Sequence, residues 1–168
     1  MTDSWPETGA TPWDVQLKAY IDAQDLLTRN RGVSKRVTAN RTTTVVTAAN
    51  VADMDFAVGA DEVWTAEFNL QNGCSGTGGS KWALTIPAGA TRRAVVVGTG
   101  SSATAQQGGV LTSGGVLTTA NFNTGILTTG YTRITVTVVN GATAGNVQLQ
   151  FASTTAGQTS TVYANSYL

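Results

Sequence analysis

The sequence predicts a mainly β protein, an antiparallel β-sandwich of jelly-roll-like design, preceded by a short extended arm and one α-helix. Three observations predict it. From Thr42 onward apolar and polar residues alternate, the pattern of strands with one buried and one polar face. Between the alternating runs lie pairs of turn-forming residues. Ahead of Thr42 the apolar residues recur at helical spacing instead. A chain of 168 residues suits one domain of ordinary size, and the change of period divides it into an anchoring arm and helix over 1–34 and a β-sandwich over 35–168.

Residues 1–12 read as extended, punctuated by Pro6, Gly9 and Pro12. A helix of about 16 residues follows, with Thr11 as N-cap, Pro12 at the first helical position and Asp14 completing a short capping box. Trp13, Leu17, Tyr20 and Ile21 fall at i, i+4, i+7 and i+8 and form one apolar stripe. Leu27 lies near the end, and Asn30 and Gly32 are stop signals. So short a helix is not stable alone in water, and its stripe must bury against something. Trp5 and Trp13 lie outside any core the β domain builds locally. Large aromatics anchor interfaces well, so Trp5, Trp13, Leu17, Tyr20 and Ile21 are the expected partner-binding residues of the arm.

In the β region Trp64, Ala66, Phe68 and Leu70 alternate with polar or exposed neighbours, as do Trp82, Leu84 and Ile86, then Ile134, Val136 and Val138, then Val147, Leu149 and Phe151. These are the inward faces of four clear strands, and Trp64 and Trp82 are expected in the core. Less regular strands are expected near 42–48, 54–58, 91–98, 109–119 and 161–168. Expected turns include Asn72-Gly73, Pro87-Ala88-Gly89, Gly108-Gly109, Gly114-Gly115, Asn140-Gly141 and Ala156-Gly157. Eight or so strands at this spacing read as two packed sheets. Residues 98–130 carry almost no charge and echo themselves in Gly109-Val110-Leu111-Thr112, Gly115-Val116-Leu117-Thr118 and Gly125-Ile126-Leu127-Thr128.

Only 12% of residues are charged, and Thr, the commonest residue, keeps β propensity while offering a hydroxyl to the surface. Such a surface costs little to desolvate and suits packing of like subunits. Charge comes in blocks. Asp3, Glu7, Asp14, Asp22 and Asp25 oppose Lys18 alone; Arg29, Arg31, Lys35, Arg36 and Arg41 follow; then Asp53, Asp55, Asp61, Glu62 and Glu67. After Glu67 only Lys81, Arg92, Arg93 and Arg133 are charged. The blocks suit docking between complementary surfaces. The basic stretch is short, lacks stacking aromatics and precedes an acidic block, so nucleic acid is not an expected partner. No apolar run spans a bilayer and no secretory signal opens the chain, so synthesis in a cytoplasm is expected, with no membrane association.

Chemistry is sparse. There is no histidine, which excludes Ser-His-Asp and Cys-His nucleophile systems and removes the commonest metal ligand. Asp53 and Asp55 flank Met54 at strand spacing and are expected on one side, but without an oxygen-rich loop around them. The carboxylates cluster in one part of the chain, unlike a glycosidase pair across a cleft. The glycine pairs lack the Lys-Ser/Thr ending of a phosphate loop. Cys74 has no partner for a disulfide within the chain and is expected as a free thiol at a strand end. No catalytic residue, metal or cofactor is expected.

The opening Trp5-Pro6-Glu7-Thr8-Gly9-Ala10-Thr11-Pro12-Trp13-Asp14, with Leu17-Lys18-Ala19-Tyr20-Ile21-Asp22 after it, resembles the N-terminal segment of many virion structural proteins of tailed phages that infect actinobacteria. Phe56-Ala57-Val58-Gly59-Ala60, Pro87-Ala88-Gly89-Ala90-Thr91, Val139-Asn140-Gly141-Ala142-Thr143-Ala144-Gly145 and the ending Val162-Tyr163-Ala164-Asn165-Ser166-Tyr167-Leu168 are similar to the β domains that follow it. One compact domain, one anchoring arm and no long repetitive shaft favour a capsid decoration, or minor capsid, protein on the outer capsid surface, held by its arm to the major capsid protein or another virion protein. The resemblance implies a homotrimer and a virion protein without specifying the part of the virion. It equally admits a head- or tail-fibre or minor tail protein whose sandwich binds host carbohydrate, with Tyr131, Tyr163 and Tyr167 as the ligand-binding candidates.

Overall fold

The computed structural model describes Lys18, residues 32–75, 79–99 and 130–168, and the backbone of 106–111. The chain divides into the units Met1–Gly32 and Val33–Leu168. Apart from Lys18, which is helical, residues 1–31 and the helix expected among them lie outside the described residues.

Nine strands make up the described part: β1 Arg41–Thr43, β2 Ala49–Val58, β3 Val63–Cys74, β4 Ser80–Thr85, β5 Thr91–Thr99, β6 Gln106–Leu111, β7 Gly130–Val139, β8 Gly145–Ser153 and β9 Ser160–Val162. They form two antiparallel sheets packed as a sandwich. The larger runs β1-β9-β3-β7-β5, with β6 added beyond β5, and the smaller is β2-β8-β4. Its spine is the β3–β7 pair, in register from Val63↔Val139 to Asn72↔Gly130.

The period-two pattern explains the core. Phe68 and Leu70, Ile134, Val136 and Val138, and Ala94 and Val96 point inward from the larger sheet. They meet Met54, Phe56 and Val58, Trp82 and Leu84, and Val147, Leu149 and Phe151 from the smaller. Trp82 stacks on Phe151 at a centroid distance of 6.3 Å. Burial of each such side chain contributes roughly 1.5–3 kcal/mol. Trp64 is only half-buried, tilted against Phe56 at 5.6 Å.

Four expectations need correction. The strand expected over 42–48 stops at Thr43; the chain bends at 45–47 and leaves Val45 and Val46 exposed before β2 begins. Asn72-Gly73 is no turn. Both residues are buried inside β3, which β7 pairs on one side and β9 on the other, and Asn72 Oδ1 accepts the Thr132 hydroxyl. Gly108-Gly109 likewise lies within β6, paired with Val97 and Val96. Lastly, Asp53 and Asp55 do not share plain strand geometry. The register of β2 shifts between Asn50 and Asp55, and Asp53 sits at φ 68°, in the left-handed region that Asp tolerates better than most residues. The side-chain amide of Gln148 fills this bulge, donating to the carbonyls of Val51 and Met54.

Ahead of β1, Lys35 and Val37 pair with the end of the chain. Lys35 N–H donates to Leu168 O and Leu168 N–H to Lys35 O, while Val37 N–H donates to Ser166 O. Tyr167 in turn bridges Arg36 and Asn69 of β3. Residues 35–43 and 160–168 thus form two interrupted strands at the margin of the larger sheet, and Val37 is fully buried beneath them.

Candidate interaction surface

The two outer faces differ. On the smaller sheet the outward positions carry amides and small residues, with Gln150 bonded to Asn50 across strands. Beside it, Asp55 pairs with Lys35 at 2.9 Å and Asp53 with Arg41 at 3.4 Å. Each carboxylate thus has a cation, which suits a structural role for both. Among the described residues no group of three or more metal-ligating side chains assembles.

The outward face of the larger sheet is where apolar side chains remain in water. Among the described residues nine large hydrophobics are exposed, and Val63, Val95, Val97, Tyr131, Val139 and Tyr167 all belong to this face. The register lays it out in rows across β3, β7 and β5: Val63, Val139, Thr91; then Thr65, Thr137, Arg93; then Glu67, Thr135, Val95; then Asn69, Arg133, Val97. Threonines therefore lie between the valines in these rows. Glu67 accepts from Asn69 Nδ2 at 2.8 Å and lies 3.6 Å from Arg133.

The three sequence-predicted tyrosines come to the far end of this face. Tyr131 pairs with Gln71, Tyr163 N–H donates to Gln71 O, and Tyr167 pairs with Asn69. Tyr131 and Tyr163 thus flank one residue of β3 from opposite sides, about 10 Å apart at two strand spacings. Tyr131 and Tyr167 are exposed and Tyr163 half-buried. Trp5, Trp13, Leu17, Tyr20 and Ile21 lie outside the described residues.

Sequence reasoning missed a packed pole at the other end. The Glu62 carboxylate accepts from Gly59 N–H at 2.7 Å and from Trp64 Nε1–H at 2.8 Å. Asn140 Nδ2 donates to the carbonyls of Gly59 and Thr143. A Cβ on Gly141 would lie 3.2 Å from Gly89 O, and one on Gly145 would lie 3.0 Å from Pro87 Cγ. The segments around Gly59, Pro87 and Gly141, read separately in the sequence, therefore interlock here. The early signals were the turn residues of two of these segments and the presence of all three among the motifs of the resemblance.

Arg92 is the other unforeseen feature. It points inward from β5 and donates to Leu84 O of β4. Burial pushes its pKa down from the usual value, yet a guanidinium stays charged at any ordinary pH. It links the two sheets where β4 has no further strand beside it.

Fold and surface together define a two-sheet antiparallel sandwich with one amide-rich outer face and one Thr- and Val-rich outer face. Comparison with known families, characterised proteins and solved structures finds no match to the chain.

Proposed function

We propose that the protein is a non-enzymatic structural component of a bacteriophage particle, a trimeric decoration protein held on the outer capsid by its N-terminal arm. The observation that carries this reading is the strand order. A jelly roll, the two-sheet design common in viral capsid and lectin domains, joins its first, eighth, third and sixth strands in one sheet and its second, seventh, fourth and fifth in the other. With β6 set aside as an insertion, β1-β9-β3-β7 reproduces the first sheet and β2-β8-β4 most of the second. The departure is β5, which joins β7 instead of β4, and Arg92 occupies the corner so left. The resemblance of the arm and pole motifs to actinobacteriophage virion proteins adds the particle. The absence of histidine from the sequence agrees with a structural role. Labelling of intact particles with antibody to the β domain is expected to decorate heads in many copies. Label confined to the tail would overturn the capsid assignment.

The tyrosine cluster favours one second reading, a fibre or tail protein that binds host cell-wall carbohydrate. Exposed Tyr131 and Tyr167 flank the Glu67, Asn69 and Arg133 network, the mixture of aromatic faces and hydrogen-bonding groups that a sugar uses. Under this reading glycan-array binding appears and is lost in Tyr131→Ala/Tyr167→Ala. No binding to any actinobacterial wall polysaccharide dismisses it.

A further inference from the structure

We infer that the outward face of β3, β7 and β5 is the surface through which copies of this chain pack against one another. The inference rests on the oligomeric reading above and assigns the face that reading leaves open. Its first support is composition. Val63, Val95, Val97 and Val139 are each at least 40% exposed, and the threonines between them can be desolvated at small cost, whereas none of the exposed large hydrophobics among the described residues lies in a strand of the smaller sheet. Concentrated apolar area on one face marks an interaction site.

The second support is size. Three long strands and the adjoining chain end, about 4.8 Å apart and some 30 Å long, offer on the order of 600 Å² in projection. That is the scale of one side of a specific interface. The third is charge. Arg93 lies on the β5 side, Glu67 on the β3 side, and Asp61 in the β2–β3 turn at the Val63 end. No carboxylate follows Glu67 in the sequence, so the β5 side has no acid of its own. Copies packed side by side bring the basic β5 side of one toward the acidic β3 side of the next. A surface whose two flanks complement each other selects a second copy of the chain as its occupant.

Sedimentation velocity on the full chain tests this. The wild type is expected near three times 17.3 kDa. Val95→Glu/Val139→Glu is expected to raise the dissociation midpoint by about a hundredfold or more, since each subunit would bury two unpaired charges, with an unchanged far-ultraviolet spectrum. Thr85→Glu, exposed at the end of β4 on the smaller sheet, is expected to assemble as the wild type does. Should the double variant lose its β spectrum, Thr65→Arg, an outward and exposed change at the centre of the face, takes its place. A wild-type oligomer that both face variants leave intact overturns the assigned face and spares the oligomeric reading. A wild type that stays monomeric at high micromolar concentration overturns both.

Discussion

At the scale of single residues, the pole depends on Glu62. One carboxylate oxygen accepts from both a turn amide and an indole. Hydrogen bonds to a charged group are worth about 1.5–3 kcal/mol each. Glu62→Ala is therefore expected to cost about 3 kcal/mol in a denaturant titration, with Glu62→Gln, which keeps an acceptor oxygen, recovering part of it. A loss under about 0.5 kcal/mol, the range of an ordinary surface change, would show that water replaces the carboxylate. The sequence showed Glu62 only as one of five clustered acids. What set it apart was the approach of Gly59 and Trp64, which depends on how β2 turns into β3. Phe68, Trp82 and Val136 were legible because alternation alone fixes which side of a strand faces the core.

At the scale of elements, residues 35–43 act as a marginal strand rather than a linker. Val37 is part of the core, and Lys35 is paired with Leu168. Deleting residues 1–32 is expected to leave a soluble β-folded protein. Deleting 1–41 removes Val37 and its backbone pairing and is expected to cost several kcal/mol, or the fold itself, since a buried aliphatic side chain and its cavity alone are worth about 2–5 kcal/mol. Circular dichroism and thermal melts of the two truncations separate the outcomes; equal melting temperatures would mean the segment is dispensable. The sandwich was expected to begin at residue 35, but no strand was legible before Thr42. Ser34-Lys35-Arg36-Val37-Thr38 is too polar and too short to show a period, and its pairing partner lies more than a hundred residues away. The bulge in β2 was hidden for a similar reason, because Gln148, which fills it, belongs to β8. Asn72-Gly73 misled because a strong local turn signal was overridden by pairing on both sides.

At the scale of the whole molecule, the proposed decoration protein would attach through its arm. Trp13, Leu17, Tyr20 and Ile21 would each contribute roughly 1.5–3 kcal/mol on burial, before ordering costs. Three linked arms would turn modest single-site binding into firm attachment. Trp13→Ala/Leu17→Ala is expected to stay folded and to assemble normally, yet fail to decorate particles. Added salt should weaken wild-type binding only in part, since the apolar stripe remains while the acidic residues are screened. Binding by the double variant at wild-type strength would move the dock to the sandwich. Alternation and turn signals made the two-sheet class readable, but they said nothing of β5 leaving β4 for β7. A strand records which residues point inward and not which neighbour it joins.

The pairing of residues 35–43 with 160–168 also sets how the domain must fold. The ladder Arg41↔Val162 to Thr43↔Ser160 closes a loop of nearly the entire β unit, and the β2–β8 pairing inside it is almost as distant in sequence. Such non-local contacts are reached late, after the entropy of closing a long loop has been met, and they place a protein among the slow folders. Until β9 arrives, β3 presents an unpaired edge near Asn72 and Val37 has no cover. A chain in which this pairing has not formed would leave that β3 edge open to pairing with another chain.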